Sequence, residues 1–171
     1  MTRQQRMTLL KWGTYVMTGV LLLVIQDVIM SEMRISGATT DLPVAFILLV
    51  GLYEGLENGS VFTLVAALFY WFSGSAPTPV CVGILCVLNI FIGLFRQMYW
   101  HRSKGSILMC TMIALTVYEM SLFFTGLVQD LTIFSRIGSF VLTSIYSCLA
   151  LIPLYSLIYK IGLIGGNTWK E

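Results

Sequence analysis

Six apolar stretches, parted by short polar breaks, leave this chain few folds to choose from. They run approximately over 9–30, 42–56, 60–72, 80–100, 107–128 and 137–163. A helix that crosses a bilayer needs about 20 apolar residues, with a workable range of about 17–25. The first, fourth, fifth and sixth stretches meet that length. The second and third, at about 15 and 13 residues, fall short of a core about 30 Å thick at 1.5 Å per residue. We expect the short pair to span, tilted and with local thinning of the bilayer. The alternative is a re-entrant hairpin enclosed by the other helices. The expectation is an all-α polytopic membrane protein: one domain over residues 1–171 with six transmembrane helices and a short second and third segment.

Composition excludes the other classes. Of 171 residues, 57% are apolar and 11% charged, where soluble domains run at about 45–50% and about 25%. The mean hydropathy of +0.87 agrees. A soluble globule, a disordered tail, a collagen-like repeat or a zinc-ribbon module would need a different composition. Ten Lys/Arg against eight Asp/Glu leave +2, too weak and too scattered for nucleic acid. The four cysteines, Cys81, Cys86, Cys110 and Cys148, all sit within apolar stretches and read as small apolar fillers. With His101 the only histidine, there is little material for a metal site or a catalytic triad. No enzyme activity and no cofactor are expected.

Charge also sets the expected orientation. With the N-terminus cytoplasmic, the inner side collects Arg3, Arg6, Lys11, Arg96, Arg102, Lys104, Lys160 and Lys170, while the outer loops hold only Arg34 and Arg136. Eight against two is a strong positive-inside bias. Because the short segments come as a pair, both termini are cytoplasmic whether or not the pair spans. A basic start followed by an apolar core resembles a signal peptide, but Gln26 to Glu32 offer no small-x-small cleavage pattern, so the first helix is expected to stay. Thr40-Asp41-Leu42-Pro43 reads as the cap of the second segment, Asn58-Gly59 as a turn dipeptide, and Ser73 to Pro79 as a break. Pro153 should kink the sixth helix, because it removes the bond to the Leu149 carbonyl.

Polar residues inside a bilayer are costly, and each is a functional hypothesis. Glu119 lies about 18 Å from the inner end of its helix, and Asn89 about 16 Å from the inner end of the preceding one. We expect the two to meet as a Glu–Asn clamp, with Glu119 largely neutral. A proton or substrate site and a partner contact are the alternatives. Gly51, Gly55 and Gly59, interleaved with Glu54, repeat every four residues. If helical, they form a flat stripe that packs internally or lets a partner helix approach closely. Trp12, Trp71, Trp100 and Trp169 fall near expected membrane edges, the ordinary aromatic belt. The Gly-rich Gly162 to Asn167 follows a helix and is no phosphate loop.

The order of these pieces resembles the MreD family of bacterial rod shape-determining membrane proteins. The first helix ends in Gln26-Asp27. Asp41-Leu42-Pro43 opens a hairpin, the Gly51-to-Gly59 stretch follows, and Trp71-Phe72-Ser73-Gly74 matches a break resembling Leu-Leu-Ser-Gly. A basic loop around Arg96 to Lys104 and the closing Pro153-Leu154-Tyr155 continue the likeness over about 160 residues. One departure is Tyr70, where the family often has an acid three positions before that Ser-Gly. The resemblance implies a non-enzymatic part of the cell-elongation machinery in the bacterial cytoplasmic membrane. Its implied partners are a bitopic MreC-like protein, MreB filaments, RodA and a penicillin-binding transpeptidase, and its implied role is control of cell shape and lateral peptidoglycan synthesis. The candidate partner-contact or packing residues are Asp41, Gly51, Glu54, Gly55, Gly59, Asn89 and Glu119.

The resemblance also implies a fold similar to the substrate-binding subunits of energy-coupling-factor vitamin transporters, which is the competing function. Those subunits dock through an Ala-xxx-Ala pattern in the first helix. Here Thr14 and Thr18, or Gly13 and Met17, occupy such spacings, with no alanine between Leu9 and Met30.

Overall fold

The computed structural model describes residues 3–30, 38–99, 104–130 and 132–164. The expectations for Glu32, Arg34, Trp100, His101, Arg102, Gly165 to Asn167, Trp169 and Lys170 lie outside the described residues. All six expected segments are helices. Helix α1 (Arg3–Ile25) runs into a π-helical turn (Gln26–Met30) and is followed by α2 (Leu42–Glu54), α3 (Leu56–Phe72), α4 (Val80–Tyr99) and α5 (Lys104–Val128). A single 3-10 turn (Phe134–Arg136) then leads into α6 (Ile137–Ile164), which continues through Pro153.

Helices α1, α4, α5 and α6 are long and apolar enough to cross a membrane, and α2 and α3 are shorter. Large apolar side chains stand exposed on these outer helices, among them Met17, Phe91, Met109, Phe124 and Leu149. On a soluble protein such a surface would aggregate, whereas lipid tails solvate it. The chain is a helical membrane protein.

The short α2 is the centre of the bundle. Pro43 through Glu54 are all buried, and each of the other five helices touches it. Its sequence is apolar all the way round until Glu54, the pattern of a helix with no outer face. At 13 residues it is about 20 Å long. Asp41, just before it, donates its N–H to Ser147 Oγ at 2.8 Å. Ser147 is ten residues into α6, so α2 begins about 15 Å below that end of α6.

A single glycine turns α2 into α3. Gly55 has φ +92°, a conformation that side-chain-bearing residues rarely adopt. The turn expected at Asn58-Gly59 is therefore displaced, and both of those residues lie in the first turns of α3. The continuous glycine stripe is lost with it. Gly51 and Gly59 sit on opposite arms of the hairpin, and a Cβ on Gly59 would collide with the Gly51 carbonyl. These glycines pack the hairpin internally and present no face to an outside helix.

One end of the bundle is basic. Lys11 of α1 and Arg96 of α4 meet at the C-terminus of α2, Tyr53 packs at Gly162 of α6, and Lys104 of α5 stacks over Tyr159.

Candidate functional site

A helix buried on all sides must still satisfy the backbone groups at its two ends. At the start of α2, Pro43 has no N–H to satisfy. The Leu42 N–H donates to Gln26 Oε1 at 3.3 Å, and the Asp41 N–H goes to Ser147. Asp41 occupies the cap position but makes no side-chain cap bond. Its carboxylate instead accepts from the Tyr70 hydroxyl, at 3.2 Å to each oxygen. At the other end, Arg96 Nη1 donates to the carbonyls of Leu52 at 2.7 Å and Tyr53 at 3.2 Å. A cation there also complements the negative end of the helix dipole.

The basic end closes around Glu54. Its Oε2 lies 2.6 Å from Lys11 Nζ, and its Oε1 accepts from the Tyr15 hydroxyl at 2.8 Å. Lys11 and Tyr15 are one helical turn apart on α1, so they share a face. Tyr15 stacks edge-on against Trp12 and Phe46 and tilts against Phe62. These contacts fix α1 against the hairpin.

The expected pairing of Asn89 with Glu119 does not form. The Asn89 amide lies against Gly51, beside Thr63, and neither its Oδ1 nor its Nδ2 has a hydrogen-bond partner among the described residues. Gly51 is ten residues from Asp41, which shares a cavity with Glu119, so the two polar groups stand about 15 Å apart in height. Part of the difference lies in α5, which begins at Lys104, three residues before the expected Ile107, and so sets Glu119 about 5 Å further from that end. Arg96, three residues before the end of α4, already lies beside Leu52 and Tyr53.

Glu119 belongs instead to the end of the bundle away from Lys11 and Arg96. There a cavity of about 220 Å³ opens above the start of α2. Asp41, Tyr70 and Glu119 form its charged and phenolic wall. Gln26, Ser139 and Thr143 add polar groups, and Leu122, Phe140 and Pro77 apolar ones. At the same end, Ser75, also on the wall, donates to both Asp27 oxygens at 2.9 Å. Glu119 is 3% exposed and its Oε1 has no partner among the described residues. No Lys, Arg or His among the described residues lines the cavity.

The structure thus divides the seven residues singled out by sequence into three groups. Asp41 and Glu119 meet at the cavity. Gly51, Gly59 and Asn89 pack in the interior. Glu54 and Gly55 lie at the basic end. Sequence reasoning gave no role in the site to Gln26, Tyr70 or Ser147, and treated Lys11 and Arg96 as topology charges alone. A polar group within each apolar run was the available signal for Gln26 and Ser147. No family model, curated protein or solved structure matches this chain.

Proposed function

We propose that this chain is a non-enzymatic scaffold of the bacterial cell-elongation machinery that holds a single-span MreC-like partner, as its resemblance to the MreD family implies. On this reading the six segments lie in the cytoplasmic membrane. The basic end, with Lys11, Arg96, Lys104 and Lys160, faces the cytoplasm by the positive-inside rule. MreB, RodA and a penicillin-binding transpeptidase would complete the assembly.

The observation that supports it best is the contrast between a locked interior and an open α1. The central α2 and its glycines are consumed by internal contacts. Helix α1 buries only 17% of its apolar window. Along its outer side Leu10, Gly13, Met17, Val20 and Val24 are all exposed. Their spacing of three, four, three and four residues is the heptad spacing of a helix that packs along another helix. A Cβ at Gly13 would meet nothing within 4 Å, so a second backbone has room to approach there. In lipid, close approach and van der Waals contact drive such pairing, because burial from water does not.

The test is Gly13→Leu, with Gly83→Leu on α4, equally open, as the control. Gly13→Leu should reduce recovery of the MreC-like partner in a detergent pull-down and turn rod-shaped cells round. Gly83→Leu should do neither. Equal recovery by both variants at normal membrane levels overturns the α1 docking face.

The cavity at the far end favours a second reading, a substrate-binding subunit of an energy-coupling-factor transporter. Radiolabelled vitamin uptake that depends on this chain would select it. A neighbouring gene for a periplasmic coiled-coil protein would favour the scaffold.

A further inference from the structure

The cavity above α2, which the scaffold reading does not use, holds an imbalance. Two carboxyl side chains, Asp41 and Glu119, share one pocket deep in the bundle. Asp41 is held by the Tyr70 hydroxyl. Glu119 is almost wholly buried and its Oε1 has no partner among the described residues. Buried acceptors are satisfied in the great majority of folded proteins, and an unpaired one points to a missing donor. Among the described residues no basic side chain stands on the cavity wall to supply it.

Size and lining narrow the class of donor. At about 220 Å³ the space far exceeds the roughly 30 Å³ that one water occupies in the liquid. No group of three or more His, Cys, Asp or Glu among the described residues is arranged to hold a metal ion. The lining mixes carboxyls and hydroxyls with apolar side chains, Leu122 one helical turn from Glu119 and Phe140 beside Ser139. A molecule that fits this lining carries a cationic nitrogen and an apolar body. An ammonium donates several charge-assisted bonds to carboxylate oxygens, which are stronger than bonds between neutral groups.

We propose that this cavity binds a small organic ammonium compound, with its nitrogen between Asp41 and Glu119 and its apolar body against Leu122 and Phe140. The site stands on the cavity alone, so its failure would leave the partner-binding reading untouched, and the reverse holds too.

Benzylammonium is a suitable probe, with benzyl alcohol and phenylacetate as its neutral and anionic counterparts. The full chain in lipid nanodiscs, titrated by calorimetry, should bind benzylammonium saturably at one site and neither counterpart. Glu119→Gln keeps the shape and removes the charge, and it should weaken binding by at least about tenfold. Asp41→Asn, at the other side of the nitrogen, should do the same and serves if the first variant does not fold. Equal binding of benzyl alcohol, unchanged binding by either folded variant, or no saturable binding by the native chain overturns the proposal. So does saturation by sodium alone, which would assign an inorganic ion. Binding that emerges only after Arg34→Ala also overturns it, because the chain would then supply its own cation.

Discussion

Lys11 Nζ lies 2.6 Å from Oε2 of Glu54, and the two side chains are 4% and 1% exposed. A buried ion pair of this kind gains little over an apolar pair of the same volume, but breaking it leaves a lone charge without solvent. Lys11→Met or Glu54→Gln alone should therefore cost about 3–5 kcal/mol. The double variant should cost less than the sum of the two, because it leaves no orphaned charge. Thermal unfolding in a fixed detergent checks this. Additive losses would mean that Glu54 is held mainly by Tyr15, and that Lys11 serves another group.

The hairpin of α2 and α3 depends on the absence of two side chains. Gly59 packs on the backbone of Gly51, so a methyl group there must push the arms apart. Gly59→Ala should destabilise by about 1–3 kcal/mol, the usual cost of overpacking a tight core. Gly83→Ala, with nothing within 4 Å of its Cβ position, should be neutral or slightly stabilising through helix propensity. The two variants have the same chemistry, so a difference in unfolding temperature isolates the close approach.

Asn89 presents the opposite case. Its amide is buried with neither polar atom paired among the described residues. Replacing an unpaired polar group by an apolar one of similar shape is near neutral or stabilising. Asn89→Leu should keep the fold and gain on the order of 1 kcal/mol. A clear loss of stability instead would show that the amide has a partner, a bound water being the simplest.

Much of the fold was legible because lipid simplifies the code. Runs such as 80–99 and 137–164 must be helices wherever they lie in a bilayer, and their ends fall at polar breaks. The centrality of α2 was partly legible as well. The second apolar run, about 15 residues in sequence and 13 as a helix, is short for a span and has no polar face to show, which fits the enclosed alternative rather than the expected span. What could not be read was height and azimuth. Counting residues from the ends of α4 and α5 put Asn89 and Glu119 level, and that count assumes that helices start level. Helix α5 begins at Lys104, before the expected Ile107, and Asn89 packs at Gly51 while Glu119 reaches the cavity at Asp41. The glycine period misled for a related reason. A repeat every four residues implies a stripe only while the helix continues, and Gly55 ends it. Lys11 sits inside an apolar run rather than beside one, and that should have marked it as half of a buried pair.

The distribution of basic residues makes a prediction about sidedness that the fold renders sharper. Lys11, Arg96 and Lys104 now lie at one end of the bundle through contacts to Glu54, the Leu52 carbonyl and Tyr159. The hairpin turn at Gly55 is at that same end, so the short pair returns to the side from which α2 began. If the basic end is cytoplasmic, the C-terminus shares that side and the loop at Ser135 lies across the membrane. Reporter fusions after residue 171 and within the Ser135 loop should then report opposite sides, with the C-terminal one cytoplasmic. A C-terminal reporter active only outside the cytoplasm would invert the orientation, and the cavity between Asp41 and Glu119 would then open to the cytoplasm.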